Sequence, residues 1–428
     1  MPLGDFVESI NSSDGKIRVW CLLRDQFAHV KPVEQFFGPQ AEFIYNSDWL
    51  PEKMLSAQPD IILCVNEFQY EIAKCIHAAR ENGIPSLLLQ DGILEWRNQY
   101  ENPLFGHGGG APQHQPVLSN KIACLGFQSA RHIAAWGNYD KVEVTGMPRL
   151  DGITNIKPPT FNNKPKRILV MTAKKPWLDD AQKEITLLGL FDLKEYLAAR
   201  PDVDVVWRLT KNVSSILKVE NNLSDLSTQE LSTVLGKVDA VISTFSTAIL
   251  EAMLLGRPVC VLDYHNTPQF INTAWSISCK AQMEKAVNEI LDPPKSRMVF
   301  QQVCLSDALW INSPASRNVA ELISQMVSIA RDCQVRKVKL EFPADMVKHA
   351  SSMGIPEGKI NLEGLYPDQK IYSQNSVIEL QASLVRAEAE NSKLKSLMAQ
   401  RNAGYWMVKS ISYIYRRIIS YKSLRKRQ

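Results

Sequence analysis

Apolar residues along this chain fall in short unbroken blocks rather than in alternation with polar ones. IRVWCLL (17–23), EFIYN (42–46), DIILCV (60–65), SLLLQ (86–90), KIACLG (121–126) and VEVTG (142–146) all have strand length. Helix-like stretches lie between some of them, EFQYEIAKCIHAAREN (67–82) being the clearest and QSARHIAAWG another. A strand that is apolar throughout must be covered on both faces, which predicts a parallel sheet crossed over by helices. The Pro-, Asn- and Lys-rich stretch KPPTFNNKPK (157–166) breaks the pattern and reads as a linker. The pattern then restarts with RILVMT (167–172), a helix around 181–199, DVDVVWRL (202–209), a helix near 228–236, DAVIS (239–243), a helix from Ala248 and PVCVLDY (258–264). Helical pieces at 280–291 and 315–332 complete it.

This order predicts an α/β protein of two Rossmann-like units, residues 1–156 and 167–335, whose strand ends face each other across a cleft. In such sheets ligands bind beyond the C-terminal ends of the strands. A length of 428 residues suits two domains and an accessory piece. That piece begins with a polar connector, 336–375. Val377, Leu384, Asn391 and Met398 then alternate with Leu380, Ala387 and Leu394 at heptad spacing. This predicts a short coiled coil over 376–400, a route to self-association in which Asn391 fixes the register; the alternative is a surface helix docked on the body. The segment 405–428 combines Trp406, Ile411, Tyr415, Ile418 and Ile419 with seven Lys or Arg and no acid. Aromatic and basic residues on one amphipathic helix suit an anionic membrane surface; a disordered basic tail or a nucleic-acid contact are the alternatives.

Composition narrows the classes. Apolar residues make up 45% and charged residues 22%, the balance of a soluble globular protein. The chain carries +4, all of it owed to the tail, so the remainder nets −3 and is not built as a general nucleic-acid binder. MPLGDFVESINSSDGK lacks the features of a signal peptide, and no run of eighteen apolar residues suggests a spanning helix. The eight cysteines are scattered without a CxxC, which reads as reduced thiols in a cytoplasmic protein.

The densest chemistry lies in VDAVISTFSTAILEAMLLG (238–256), where an apolar strand meets Ser243, Thr244, Ser246 and Thr247 and then a helix. One hydroxyl suffices as an N-cap; four beside the unpaired N–H groups of a helix start form an anion site suited to phosphate. Glu251, one turn on, is placed to accept from ribose hydroxyls. Arg208 and Lys211 at the end of one strand, and Thr172, Lys174 and Lys175 at the end of its neighbour, would bring donors and positive charge to the same cleft. His265, just past PVCVLDY, is a further candidate for donor contact. On the other side, SLLLQDGILEWR (86–97) ends a strand in Gln90-Asp91-Gly92, followed by Glu95 and Arg97. A carboxylate at a strand tip is placed to deprotonate an acceptor hydroxyl. LFGHGGGAPQHQPV (104–117), with His107, reads as an acceptor loop and not as a metal or P-loop motif, since neither carboxylates, cysteines nor Lys-Ser/Thr accompany it.

Four segments in order carry a resemblance. STFSTAILEAM resembles the donor-nucleotide motif of GT-B glycosyltransferases that build bacterial surface polysaccharides such as capsule and lipopolysaccharide. VTGMPRLD (144–151) is similar to the TG-x-PR-x-D segment of teichoic-acid polymerases and sugar-nucleotide 2-epimerase relatives. RILVMTAKKPW (167–177) and VVWRLTKN (205–212) look like strand ends of their second domain, although Leu-Thr-Lys stands here where His-Pro is often found. Gln90-Asp91-Gly92 resembles both the His-Gly of teichoic-acid polymerases and the acidic-acidic-Gly motif of bacterial sialyltransferases. The resemblance covers roughly 85–335. It implies the GT-B fold, a nucleotide-sugar donor held by the second unit, and Asp91 as general base with Glu95 as second choice. It also implies an acceptor side including Gln90, Gly92, Arg97 and His107.

The expected function is transfer of a sugar from a CMP-Kdo or sialic-acid-type donor, or an NDP-sugar, to a hydroxyl of a lipid-linked glycan at the inner face of the plasma membrane. No metal or other cofactor is expected. A CDP-polyol phosphotransferase, a 2-epimerase relative and a non-catalytic assembly scaffold are the alternatives.

Overall fold

The computed structural model describes residues 15–24, 26–45, 48–103, 113–154, 165–220, 222–223 and 230–347. These lie within one compact unit, Met1–Ile360. The expected coiled coil (376–400), the basic tail (405–428), His107, residues 157–164 of the linker and residues 348–375 of the connector lie outside the described residues.

Two parallel sheets organise the unit. The first has six strands in the order β2-β1-β3-β4-β5-β6. They are β1 (Ile17–Leu22), β2 (Ala41–Tyr45), β3 (Ile61–Cys64), β4 (Ser86–Leu89), β5 (Lys121–Cys124) and β6 (Val142–Val144). The second has five in the order β11-β10-β9-β7-β8. These are β7 (Lys166–Met171), β8 (Val203–Arg208), β9 (Ala240–Ser243), β10 (Val259–Leu262) and β11 (Trp275–Ile277). Every pairing is parallel. β3, β4, β5, β9 and β10 are buried along their whole length, as unbroken apolar runs require.

The main helices are α1 (Phe27–Phe37), α2 (Tyr70–Glu81), α3 (Phe127–Ile133), α4 (Asp180–Ala198), α5 (Ala248–Leu254), α6 (Met283–Leu291), α7 (Lys295–Ala308) and α8 (Ala315–Arg336). Asp179 starts α4 by accepting from the Gln182 amide at 2.8 Å, an N-cap bond. Helix α1, which carries Pro32 in its interior, and α7, whose Val299, Phe300 and Val303 are exposed, lack the sequence signals of a buried helix.

One boundary differs from the reading of the chain. Helix α8 does not complete the second sheet. Its Val319, Leu322, Ile323 and Met326 pack into the core of the first, beside Val30, Val33 and Leu63. Asp151 fixes its start, accepting from the amides of Ala315 and Ser316 at 2.8 Å each, and Asn318 donates to the Thr145 carbonyl at 2.9 Å. The segment beyond α8 stays on the same sheet. Fully buried Lys121 bonds Glu143 at 2.7 Å and the Pro343 carbonyl at 2.6 Å, while Glu143 accepts from Met346 and Val347. An apolar cluster joins the two sheets: Leu125, Met147 and Leu150 pack with Met171, Ile249 and Leu309.

Candidate functional site

The register of the second sheet aligns its C-terminal ends. Met171 on β7 lies opposite both Arg208 on β8 and Ser243 on β9. The residues just beyond, Thr172 to Lys174 and Thr244 to Thr247, therefore form one rim. The first sheet brings up its own ends at Gln90-Asp91-Gly92 after β4 and at Gly146 to Arg149 after β6.

The turn after β4 is rigidly held. Gln90, 4% exposed, donates from Nε2 to the Gly92 carbonyl at 2.8 Å and accepts at Oε1 from the Leu125 amide at 3.1 Å. Gly92 then meets the second sheet. A Cβ built on it would stand 2.7 Å from the Thr247 hydroxyl, which accepts from the Ile93 amide at 3.2 Å. The two expected halves of the site are thus in direct contact here, and only glycine allows the approach.

Asp91 sits at this junction. Its side chain keeps a solvent-open face, yet protein crowds the carboxyl and strips water from it, which pushes its pKa up to about 6; the nearby charge of Arg149 opposes the shift. Arg149 is itself placed by Glu251, Nη1 to Oε1 at 2.6 Å. Glu251 is 7% exposed, so the carboxylate expected to meet a ribose is already engaged by a guanidinium from the other sheet. His29, in the first turn of α1, lies close by. Burial lowers its pKa to about 4, and the charges of Arg149 and Lys174 add to the effect, so the imidazole is neutral at physiological pH.

The four hydroxyls after β9 divide their tasks. Ser243 is buried and donates to the Thr244 carbonyl at 2.7 Å. The Thr244 oxygen accepts from the Ala173 amide at 3.0 Å, tying the ends of β7 and β9 together. Ser246 accepts from the Ala248 amide at 3.3 Å, and Thr247 contacts the first sheet as described. Thr172 has a buried hydroxyl oxygen with no partner. Lys174 and Lys211 are exposed, and Arg208 is half-buried at the end of β8.

A second polar cluster lies beside the first. Arg97, 5% exposed, donates to the Pro176 carbonyl at 3.2 Å and to His265 Nε2 at 3.1 Å, and pairs with Glu95. A guanidinium only donates, so Nε2 carries the lone pair. The Thr186 hydroxyl lies 2.9 Å from the same nitrogen. Burial, then the Arg97 charge, pushes the His265 pKa down to about 4. Burial raises the pKa of Glu95 and of Asp263 against the opposing charge of Arg97. Arg97 and His265, assigned by sequence to opposite sides of the cleft, thus bond each other. Arg97, Thr186, Asp263, Tyr264 and His265 line a small pocket together with Thr244 and Phe245, just past β9.

Reading the chain missed His29, Arg149, Thr186 and Asp263. Arg149 and Asp263 sit inside quoted motifs, one residue past a strand-ending Gly-x-Pro and directly after VCVL, so position at a strand end was a usable signal. Nothing local marks His29 or Thr186. Among the described residues no group of three or more His, Cys, Asp or Glu is arranged to hold a metal ion. No helix among them is long and apolar enough to cross a membrane. None of the cysteines is paired, and all are buried save Cys279.

No family model matches the chain, and no curated protein matches it. Solved structures do. A wall teichoic acid polymerase, TagF, is 12% identical over 76% of this chain and 93% of its own, with a TM-score of 0.49. The UDP-GlcNAc 2-epimerase of Methanocaldococcus jannaschii, in complex with UDP-GlcNAc and UDP, is 12% identical over 73% of this chain and all of its own, at 0.47. A glycotransferase of kitacinnamycin is 13% identical over 73% of this chain and 99% of its own, at 0.43.

Proposed function

We propose that the protein is a glycosyltransferase that moves a sugar from a nucleotide-activated donor to a hydroxyl of a glycan acceptor. The observation that carries this is Asp91. It stands on a turn locked by Gln90 and Gly92, where the C-terminal ends of two parallel sheets meet, with a pKa of about 6. A carboxylate tuned toward neutrality and held on rigid elements suits general-base catalysis at physiological pH. Asp91 takes the acceptor proton as the oxygen forms its bond to the anomeric carbon. The bond from that carbon to the nucleotide phosphate breaks, and its electron pair leaves with the phosphate. Arg149, Lys174 and Lys211 supply positive charge for that leaving group, so activity without a divalent cation is expected.

The finer reading follows from the sequence. A CMP-activated acid sugar or a UDP- or GDP-sugar is the donor, and a lipid-linked surface glycan the acceptor. The heptads of 376–400 associate copies of the chain, and the basic aromatic segment 405–428 holds them on the cytoplasmic face of an anionic membrane. Nucleic acid is not a partner, since the chain without that tail nets −3.

Calorimetric titration of the full chain with CMP, CDP, UDP and GDP, with and without magnesium, tests the donor. Selective binding of one nucleotide that is lost in a Ser246→Ala/Arg208→Ala variant supports the reading. Failure to bind any of the four refutes it.

A further inference from the structure

The site as read from sequence draws all its phosphate-binding groups from the second sheet. The structure adds two from the first. His29 is 9% exposed, and its Nδ1 has no hydrogen-bond partner. A buried polar atom left in this state is unfavourable, and a ligand oxygen that accepts from it removes that cost. Helix α1 packs against the segment Pro148–Leu150, which brings His29 beside Arg149. Arg149 is held in place, since Glu251 accepts from its Nη1 at 2.6 Å. On the second sheet, Thr172 just past the end of β7 has a second buried, unpartnered oxygen, and Lys174 follows two residues later with an exposed side chain. The charges of both Arg149 and Lys174 act on His29, and the packing of α1 on Pro148–Leu150 with the Arg149–Glu251 bond draws these groups from both sheets toward one place.

Glu251 is engaged by Arg149, and Lys174 adds an exposed ammonium. A neutral imidazole donating through Nδ1–H, a threonine hydroxyl, a fork of guanidinium N–H groups and a mobile ammonium together match several oxygens at once. A single carboxylate would leave some of these donors unused; a diphosphate or an esterified phosphate would not.

We propose that His29, Arg149, Thr172 and Lys174 form one oxyanion site shared by the two sheets, which takes the phosphoryl groups of the donor. This rests on the transferase reading above and deepens it. The donor phosphates, and not the protein alone, would then bridge the sheets. Arg149 would also bring its charge to the leaving group while standing next to the base.

Inorganic pyrophosphate isolates this site from the rest of the donor. The full chain is titrated with pyrophosphate and with the four nucleotides, in parallel with His29→Ala, His29→Asn and Lys174→Ala. Lys174 is exposed, so its loss leaves folding intact, and thermal unfolding checks the His29 variants. Each alanine variant is expected to weaken pyrophosphate binding about tenfold, with His29→Asn, which keeps a donor, in between. The salt dependence of binding is expected to flatten in Lys174→Ala. Equal pyrophosphate affinity in wild type, His29→Ala and Lys174→Ala overturns the shared site. Pyrophosphate binding that depends on His29 and Lys174, in a chain that binds no nucleotide, upholds this site and refutes the transferase reading. Nucleotide binding indifferent to both substitutions refutes the site and leaves that reading standing.

Discussion

Gly92→Ala tests the contact on which the whole site depends. The added Cβ would lie 2.7 Å from the Thr247 hydroxyl oxygen, closer than van der Waals contact allows. Two responses are open. Thr247 can rotate away, which gives up its bond to the Ile93 amide, 3.2 Å long, at a loss of about 1 kcal/mol. Or the turn and the start of α5 can move apart, and overpacking of this kind destabilises by about 1–3 kcal/mol. The expected loss is therefore about 1–3 kcal/mol, read as a shift in the urea midpoint at unchanged slope. The geometry also fixes the partner. In a Thr247→Ala background the obstructing oxygen is gone, so adding Gly92→Ala should cost no more than about 0.5 kcal/mol beyond Thr247→Ala alone. A double-mutant cycle reads that rescue directly as a coupling of about 1–2 kcal/mol. Strict additivity of the two substitutions would refute the contact, and with it the placement of Asp91 against the second sheet.

The remaining expectations are simpler. Asp91→Asn should abolish transfer while nucleotide binding persists, and the wild-type rate should rise with pH through about 6, a limb absent in the variant; a variant that retains the rate and the limb removes Asp91 from the base role. Because the folded pKa of Asp91 lies above its ordinary value of 3.8, the stability associated with its neutral form is complete below about 3.8 and lost as pH rises through about 6. Asp91→Asn should therefore unfold at higher temperature than wild type at pH 7 and match it near pH 3.5; an equal difference at both pH values contradicts this. Lys121→Met should destabilise by about 3–5 kcal/mol, since it strands the fully buried Glu143 carboxylate and frees the Pro343 carbonyl. Limited proteolysis should then release the chain beyond α8 faster, and an unchanged cleavage rate would count against the anchor.

The central strands β3, β4, β5, β9 and β10 were legible because a strand covered on two faces leaves a short apolar run, whatever packs on it, while β2 and β8, partly exposed at the sheet edges, were marked by Val, Ile, Phe, Tyr and Trp. β11 is three residues long and shows no such run, and Pro32 inside α1 hides a helix whose apolar face is nonetheless buried. The motif VTGMPRLD was conspicuous in sequence, but its parts have separate tasks that only packing assigns. Gly146 has φ of 85° and lies against the Trp310 carbonyl, Arg149 pairs with Glu251, and Asp151 caps α8.

The sequence by itself determined the two parallel sheets, the strand ends where chemistry collects, and the residue types waiting there, because these depend on local apolar pattern and on turn and cap residues. Tertiary structure decided which ends meet. It sent α8 back to the first sheet, spent Glu251 on Arg149 and Arg97 on His265, and brought the charge of Lys174 to bear on His29, some 145 positions away along the chain. Partners that far apart in sequence leave no periodic trace, and the packing around Asp91 that raises its pKa exists only in the folded chain.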